Sequence, residues 1–376
     1  MPVASTRVAV IFGGPSPEHD VSILTGLLTC HELLLGRPSG DVLGLYWSKN
    51  GAFFEVDPAL EASAFIDGVP GSATPITLAI GPDGGFSRRK GRLGAGREAI
   101  ELDAALVCCH GSPGEDGSLQ GALDLAGVAY AGPSAMGAAL GMDKLATAGL
   151  LTAAGVRVLP RLLLGVDSDE PSFPGPYILK PRFGGSSIGI EVVRDFATAR
   201  ARATTSVHLR KGAVLEPYRA DLYDLQIAVR SWPVLELSAI ERPFRTRPGA
   251  EILDYADKYV GGEGMHAAAR ELPAQIAEGL ATQLRHDARV ASAVLSVRGV
   301  ARIDFLSDGE ELFLNELNTI PGSLSRHLFV EPPRTFSSLL EDLIVEAKTS
   351  PAALYSTAGA DGVVLRTARS IASKLG

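Results

Sequence analysis

Apolar runs of strand length alternate with helically spaced apolar positions over the first third of the chain. Residues 7–12 and 104–110 are continuous apolar strands, each followed by a glycine turn and a helix. After Gly13-Gly14 the helix carries Val21, Leu24, Leu27 and Leu28 at helical spacing, and residues 119–126 follow the loop 111–117. Residues 128–132 form a further short strand. Strand, turn and helix units of this length predict a parallel α/β layer. Residues 67–97, rich in Gly and Pro and carrying Arg88-Arg89-Lys90, predict a surface hairpin or excursion. Within them Gly94-Ala95-Gly96-Arg97-Glu98-Ala99 matches a dinucleotide fingerprint on paper, but no apolar strand precedes it.

The pattern then changes. Residues 133–154 are helical, with Gly155 closing them. Short strands at 177–181, 190–193 and 214–217 follow, then a long helical stretch at 273–295 and a hairpin at 301–318. Residues 336–348 predict a helix, and beyond Thr349 come a linker and an amphipathic helix over 363–375. The expected class is α/β in the first part and α+β in the second, divided at 1–132, 133–215, 216–348 and 349–376.

The hairpin 301–318 carries the strongest chemical signal. Side chains alternate faces along a strand, so Arg302 and Asp304 share one face of the first strand. On an uninterrupted second strand Leu312, Leu314, Glu316 and Asn318 share one face. In register, Asp304, Glu316 and Asn318 then converge, and two carboxylates with an amide oxygen suit Mg²⁺ held jointly with phosphates. The bland alternative is an edge hairpin with solvated acids. Leu312-Phe313-Leu314 and Leu317 argue against it, because they bury the strand on both faces.

Composition narrows the class. A chain of 376 residues, 46% hydrophobic and 21% charged, is an ordinary soluble sequence long enough for two or three domains. The net charge of -8 argues against a general nucleic-acid binder. Cys30, Cys108 and Cys109 have no metal-type spacing, and adjacent cysteines pair poorly, so a reducing cytosol is expected. The N-terminal apolar run is too short for a signal peptide or a membrane span, and a cytoplasmic protein without membrane contact is expected.

Other positions point to phosphate. The loop Phe183-Gly184-Gly185-Ser186-Ser187-Ile188-Gly189 lies between two strands, where backbone N–H groups can close over phosphates. It also fits the serine-hydrolase elbow, which needs a helix after the serine; β-branched residues follow here instead. No Walker-type loop occurs. Lys180 sits on the strand before this loop. Lys144 follows the candidate N-cap Asp143, where a lysine is unfavourable unless an anion accompanies it. Glu18, after the first glycine turn, either receives a ligand ammonium or is a first-turn acid favoured by the helix dipole. His110 ends a strand at a glycine loop, facing the same cleft as Glu18 or capping and packing there.

These features together resemble the ATP-grasp ligases, and within them the D-alanine–D-alanine ligase family. The resemblance spans roughly residues 7–345 and runs in order through several blocks. These are Gly13-Gly14-Pro15-Ser16-Pro17-Glu18-His19-Asp20-Val21-Ser22, His110-Gly111 with Gly114-Glu115-Asp116-Gly117-Ser118-Leu119-Gln120-Gly121, Met142-Asp143-Lys144 and Lys180-Pro181. Gly185-Ser186-Ser187-Ile188-Gly189, Arg302-Ile303-Asp304 and Asn315-Glu316-Leu317-Asn318-Thr319-Ile320-Pro321-Gly322 complete them. The resemblance implies an N-terminal parallel α/β domain followed by a two-lobed ATP-grasp fold, with an enzyme that joins two amino acids through an acyl phosphate. It implies ATP phosphates on Lys144 and Lys180 under the loop with Ser186 and Ser187. Glu216, Pro217 and Arg219 would meet the adenine and Asp224 the ribose. Two Mg²⁺ ions, or Mn²⁺ in their place, would lie on Asp304, Glu316 and Asn318. Glu18, linked to Ser186 and Tyr259, would take the ammonium of the first amino acid. Lys258 and Tyr259 would belong to a covering loop, and Arg302 and the N–H of Gly322 would stabilise the oxyanion. A homodimer is implied as well.

The acceptor end departs from the pattern. Where the family has Ser before Leu or Met, this chain reads Ser325-Arg326-His327-Leu328. Asp224 is one carbon shorter than the usual Glu, and the tail beyond Thr349 is an extension. The expected function is therefore a dipeptide-forming ligase with D-alanine or a similar donor and an altered acceptor site at His327 and Leu328. The alternatives are an authentic D-alanine–D-alanine ligase of cell-wall precursor synthesis and a nucleotide-binding regulator without catalysis.

Overall fold

The computed structural model describes residues 6–90, 96–165, 167–244 and 270–351, together with 353, 355–368, 370 and 371. Seventeen strands among them form three sheets. The first holds β1 (Val8–Gly13), β2 (Val42–Trp47), β3 (Phe53–Val56), β4 (Thr74–Ala79), β5 (Gly85–Lys90), β6 (Gly96–Ala99), β7 (Ala104–Val107) and β8 (Tyr130–Ala131), in the order β6-β5-β4-β3-β2-β1-β7-β8. Strands β2, β1, β7 and β8 are parallel, as the strand–helix alternation predicts. The Gly- and Pro-rich stretch supplies the antiparallel β4, β5 and β6, which extend this sheet outward. Helix α1 (His19–Gly36) packs so closely on β1 that a Cβ on Gly26 would lie 2.3 Å from the Cβ of Phe12. Only glycine fits there.

Helices α2 (Ser118–Leu125), α3 (Ala135–Met142) and α4 (Lys144–Ala153) come next. The helical run after residue 133 is broken at Asp143, whose carboxylate caps α4 by accepting from Leu145 N and Ala146 N. The second sheet has β9 (Leu162–Leu164), β10 (Tyr177–Pro181), β11 (Glu191–Val193) and β12 (Ala213–Pro217), in the order β11-β10-β12-β9, with α5 (Phe196–Thr205) beside it. The third has β13 (Tyr223–Arg230), β14 (Glu236–Pro243), β15 (Arg270–Glu271), β16 (Val300–Ser307) and β17 (Leu312–Asn318), in the order β15-β14-β13-β16-β17. β12 runs through residues 215 and 216, so the break between these sheets falls after Pro217 and before Tyr223.

Helix α6 (Glu278–Val294) starts later than the apolar pattern predicts, after an extended segment that follows Pro273. It covers one face of the third sheet with Leu280, Leu284, Ala288 and Ala291. The last long helix, α7 (Phe336–Thr349), returns to the first sheet. Its Phe336, Leu339, Leu340, Leu343 and Ile344 share a core with β1, β2 and β7, and so do Ile320, Leu324 and Leu328. The chain after β17 thus belongs by packing to the N-terminal core, which a division into consecutive segments does not anticipate. The tail forms a helix over Val363–Ala368, α8, whose Val363, Val364 and Leu365 are exposed.

Candidate active site

The hairpin of β16 and β17 is antiparallel, with Arg302 opposite Asn318 and Asp304 opposite Glu316. Asp308 forms its turn by accepting from Glu310 N and Glu311 N. The pairing is interrupted between Asp304 and Phe305, where Leu314 is the next partner and Asn315 is left over. This bulge corrects the expected faces, because one extra residue flips every side chain beyond it. Leu312, Leu314 and Leu317 pack together in the core with Ile303 and Phe305. Glu316 and Asn318 lie on the opposite face with Arg302 and Asp304, so Leu312 and Leu314 do not share their face.

Across the sheet the row continues. Asp304 pairs with Gln226 on β13, and Gln226 with Glu241 on β14, giving the polar row Glu316, Asp304, Gln226, Glu241. Arg302 clamps Asp304 with Nε 2.6 Å from Oδ1 and Nη2 2.8 Å from Oδ2, and Asn318 Nδ2 donates to Oδ2 at 3.1 Å. The donors that Asp304, Glu316 and Asn318 offer a metal are all oxygens. Among the described residues no group of three His, Cys, Asp or Glu could hold an ion by itself. Two carboxylates with an amide therefore fit Mg²⁺ that draws its other ligands from water and phosphate rather than from a protein cage.

Facing this row is the end of the second sheet, and a cleft opens between them. Its walls include Ile178, Ile190, Leu222 and Leu306, and its polar lining includes Lys180, Ser187, Glu216, Arg219, Asp224, Asp304 and Glu316, with Pro217 beside Glu216. Lys180 Nζ donates to Glu216 Oε2 at 2.7 Å and to Asn315 Oδ1 at 3.0 Å. Arg161 Nε lies 2.8 Å from Glu216 Oε1, and its Nη2 donates to the carbonyl of Asn315. Burial pushes the Glu216 carboxyl up, but Arg161 and Lys180 outweigh it and hold the group below its ordinary value. Lys144 Nζ donates to the carbonyl of Gly184 and stands 3.7 Å from Glu316. Burial lowers its pKa, against the pull of Glu316. Two buried lysines and a glycine loop thus converge on one carboxylate row.

The N-terminal domain closes the other side. Ser186 Oγ donates to Glu18 Oε1, with Ser186 and Ser187 at φ of 51 and 58. β11 follows this loop, as the β-branched residues require, so the hydrolase elbow is absent here. The turn after His110 lies against Glu18, since a Cβ on Gly111 would come 2.6 Å from Glu18 Oε2. Glu115 is buried and accepts from Ile320 N at 2.9 Å, Thr319 Oγ1 at 3.2 Å and Gly111 N at 3.1 Å.

Burial and the nearby charge of Glu18 raise Glu115 from 4.5 to about 7. A raised acid contributes stability that is full below 4.5 and lost as pH climbs through about 7. Glu115→Gln is expected to remove this loss. Relative to wild type it should gain up to about 3 kcal/mol more at pH 8 than at pH 4. Urea unfolding at the two pH values measures the difference, and an equal effect at both refutes it.

At the far end of the row, His327 Nε2 lies 3.4 Å from Glu241 Oε2, and Arg270 Nη1 donates to Oε1 at 2.9 Å. Burial opposes ionisation of Glu241, but His327, Arg270 and Arg302 hold its pKa down. His327 is half-buried beside the row, whereas Leu328 is fully buried in the N-terminal core. His110 Nε2 lies 2.8 Å from Thr25 Oγ1, and the ring also bonds the backbone of Ile320, so the imidazole is engaged inside the protein. Lys258 and Tyr259 lie outside the described residues. Sequence reading missed Arg161, Asn315, Glu241 and Thr25. Two adjacent polar residues, Asn315 and Glu316, which strict alternation would put on opposite faces of β17, were the one available signal for the bulge.

Known proteins share this sequence pattern and this fold. The family pattern described as D-ala D-ala ligase N-terminus matches residues 7–133, and D-ala D-ala ligase C-terminus matches residues 168–346. A D-alanine–D-alanine ligase of Mycobacterium sp. (strain KMS) is 32% identical over 381 aligned positions, covering 96% of this chain and 98% of the relative. Among solved structures, a D-alanine–D-alanine ligase from Helicobacter pylori aligns with a TM-score of 0.71 at 24% identity, over 92% of this chain and 100% of that one. The VanG D-Ala:D-Ser ligase from Enterococcus faecalis aligns with a TM-score of 0.73 at 23% identity, over 91% and 99%. With the sequence blocks, the oxygen-lined row and the two-sheet cleft in agreement, the chain belongs to the D-alanine–D-alanine ligase family and is an ATP-grasp ligase.

Proposed function

We propose that this ligase joins D-alanine, as donor, to the amine of a second amino acid, with cleavage of ATP. It acts in the cytoplasm as a homodimer on small-molecule substrates. The observation that carries the reading is that Lys180 lines one cleft with Asp304 and Glu316, with Lys144 3.7 Å from Glu316 and Asn318 on the same face of β17. A carboxylate is a poor electrophile, and phosphorylation by ATP makes it an acyl phosphate with a good leaving group. Lys144 and Lys180 neutralise the phosphates, Ser186 and Ser187 lie in the loop over them, and Glu216, Pro217, Arg219 and Asp224 seat the nucleoside. Asp304, Glu316 and Asn318 would hold two Mg²⁺ ions, which supply positive charge to the phosphates when bound. Glu18, linked to Ser186, receives the donor ammonium. Arg302 and Gly322 N–H take the developing oxyanion, and Lys258 and Tyr259 belong to the segment that excludes water from the acyl phosphate.

Phosphate release from ATP in a pairwise amino-acid panel, with product mass measured, tests this. Release that depends on amino acids and yields a dipeptide is expected; amino-acid-independent release, or none, refutes it.

For the acceptor, His327 occupies the sequence position of the family serine. Its contact with the ionised Glu241 supports an acceptor site of different shape and charge. A hydrogen bond to a charged group is worth roughly 1.5–3 kcal/mol, about tenfold to hundredfold in kcat/KM. D-Alanine is expected to be a poor second substrate, and His327→Ser to improve it by about tenfold or more. If D-alanine is the best acceptor of the wild type and the substitution changes nothing, the acceptor site is the ordinary one.

A further inference from the structure

Beyond β17 the chain turns left-handed. Ser323, Leu324 and Ser325 have φ of 49, 50 and 49, a conformation that L-residues keep only where their surroundings impose it. What imposes it comes from the N-terminal domain. Glu115 takes the N–H of Ile320. His110 bonds the carbonyl of the same residue. Thr25, on α1, takes the N–H of Ser323 at 3.1 Å, and its hydroxyl is 2.8 Å from His110 Nε2. Pro321 has no N–H. The amide of Gly322 is therefore the one that lies between two anchored amides.

We propose that Thr25 is a positioning residue, whose hydroxyl couples the Ser323 amide to His110 and so fixes the direction of the Gly322 N–H. This rests on the reading above that Gly322 faces the oxyanion. The proton logic closes around Thr25. Its oxygen accepts from Ser323 N–H, and among the described residues His110 Nε2, at 2.8 Å, is the one neighbour of the hydroxyl able to take its hydrogen. Nε2 is then an acceptor, and His110 is the neutral tautomer with Nδ1–H donating to Ile320. Burial and the charge of Arg302 favour the same neutral ring, lowering its pKa to about 4 against the pull of the Ile320 carbonyl. His110 is held in turn, because its N–H donates to Ser22 Oγ at 2.8 Å, one turn before Thr25 on α1. Together these bonds tie α1 to the loop after β7, and both of them to the segment after β17. Without the hydroxyl, Ser323 N–H and His110 Nε2 each lose a partner inside the protein, and the left-handed turn is free to relax.

The full-length enzyme tests this with D-alanine as donor and the best acceptor of the panel. Thr25→Val, which keeps the shape and removes the hydroxyl, is expected to lower kcat about 10- to 100-fold, the scale of a misplaced catalytic group. KM for ATP should stay within about twofold, because the nucleotide cleft is untouched. Thr25→Ser should restore most of kcat. Wild-type turnover in Thr25→Val, or a loss that Thr25→Ser does not restore, overturns the proposal. If Thr25→Val does not fold, ¹⁵N NMR of wild-type His110 decides: a neutral ring protonated on Nδ1 from about pH 6 to 8 is expected, and an Nε2–H tautomer or a charged ring overturns it. A wild type that forms no amide product with any pair refutes the functional reading instead, and the His110 tautomer still tests the network.

Discussion

Glu316→Gln is expected to leave the fold intact and to lower turnover about a hundredfold or more at saturating Mg²⁺. The two side chains have the same shape, and Glu316 is on the cleft face of β17 rather than in the core, so packing is unchanged. What is lost is one of two carboxylate charges opposite each other across the hairpin. With Asp304 clamped by Arg302, Glu316 is the carboxylate whose charge most directly answers a divalent cation, and Lys144 at 3.7 Å loses its counter-charge as well. Turnover across a Mg²⁺ titration, beside a melting curve, measures both halves of the expectation. Wild-type turnover at high Mg²⁺ would remove Glu316 from the metal set.

Lys180→Met is expected to damage stability and catalysis together. Lys180 and Glu216 are both buried, and removing one partner of a buried pair costs roughly 3–5 kcal/mol, because the other charge is left in a poorly solvating interior. Arg161 remains beside Glu216, which puts the cost at the lower end, about 3 kcal/mol. Asn315 loses its donor too, so the bulge that sets the faces of β17 loosens. The double substitution Lys180→Met with Glu216→Leu separates the roles. Removing Glu216 also leaves buried Arg161 without its counter-charge, so the melting temperature should recover at most in part, while kcat/KM for ATP stays at least about a hundredfold down. Recovery of activity in the double variant would assign Lys180 a structural role alone.

The two expectations differ in how far sequence could support them. Lys180 was legible as a lysine on a strand that runs into a glycine loop. Its buried partner was not, because Glu216 and Arg161 come from other strands and loops, and only antiparallel pairing sets Glu216 opposite Ile178 on β10. The convergence of Asp304, Glu316 and Asn318 was legible from period-two alternation, yet for a reason that was incomplete. Strict alternation puts Leu312 and Leu314 beside Glu316, and the bulge at Asn315 separates them. The carboxylates converge because they are two residues from Arg302 and Asn318, on the near side of the bulge.

By itself the sequence determined the local elements and the chemistry they carry. Apolar periodicity located the strands and helices. Glycine, proline and Asx positions located the turns, and the order of seven short blocks identified the family. These are near-neighbour properties, fixed by backbone sterics and side-chain alternation within a few residues. What only the tertiary structure decided is which distant groups share a charge environment. Glu115 is raised because it is buried near Glu18, and Glu241 is held ionised by Arg270, His327 and Arg302. The left-handed turn after β17 is held by Thr25, Glu115 and His110 from the opposite end of the chain. Burial and Coulomb interaction depend on separation in space, which no spacing along the chain encodes. The same is true of α7, whose pattern foretold a helix but not that its apolar face would complete the N-terminal core.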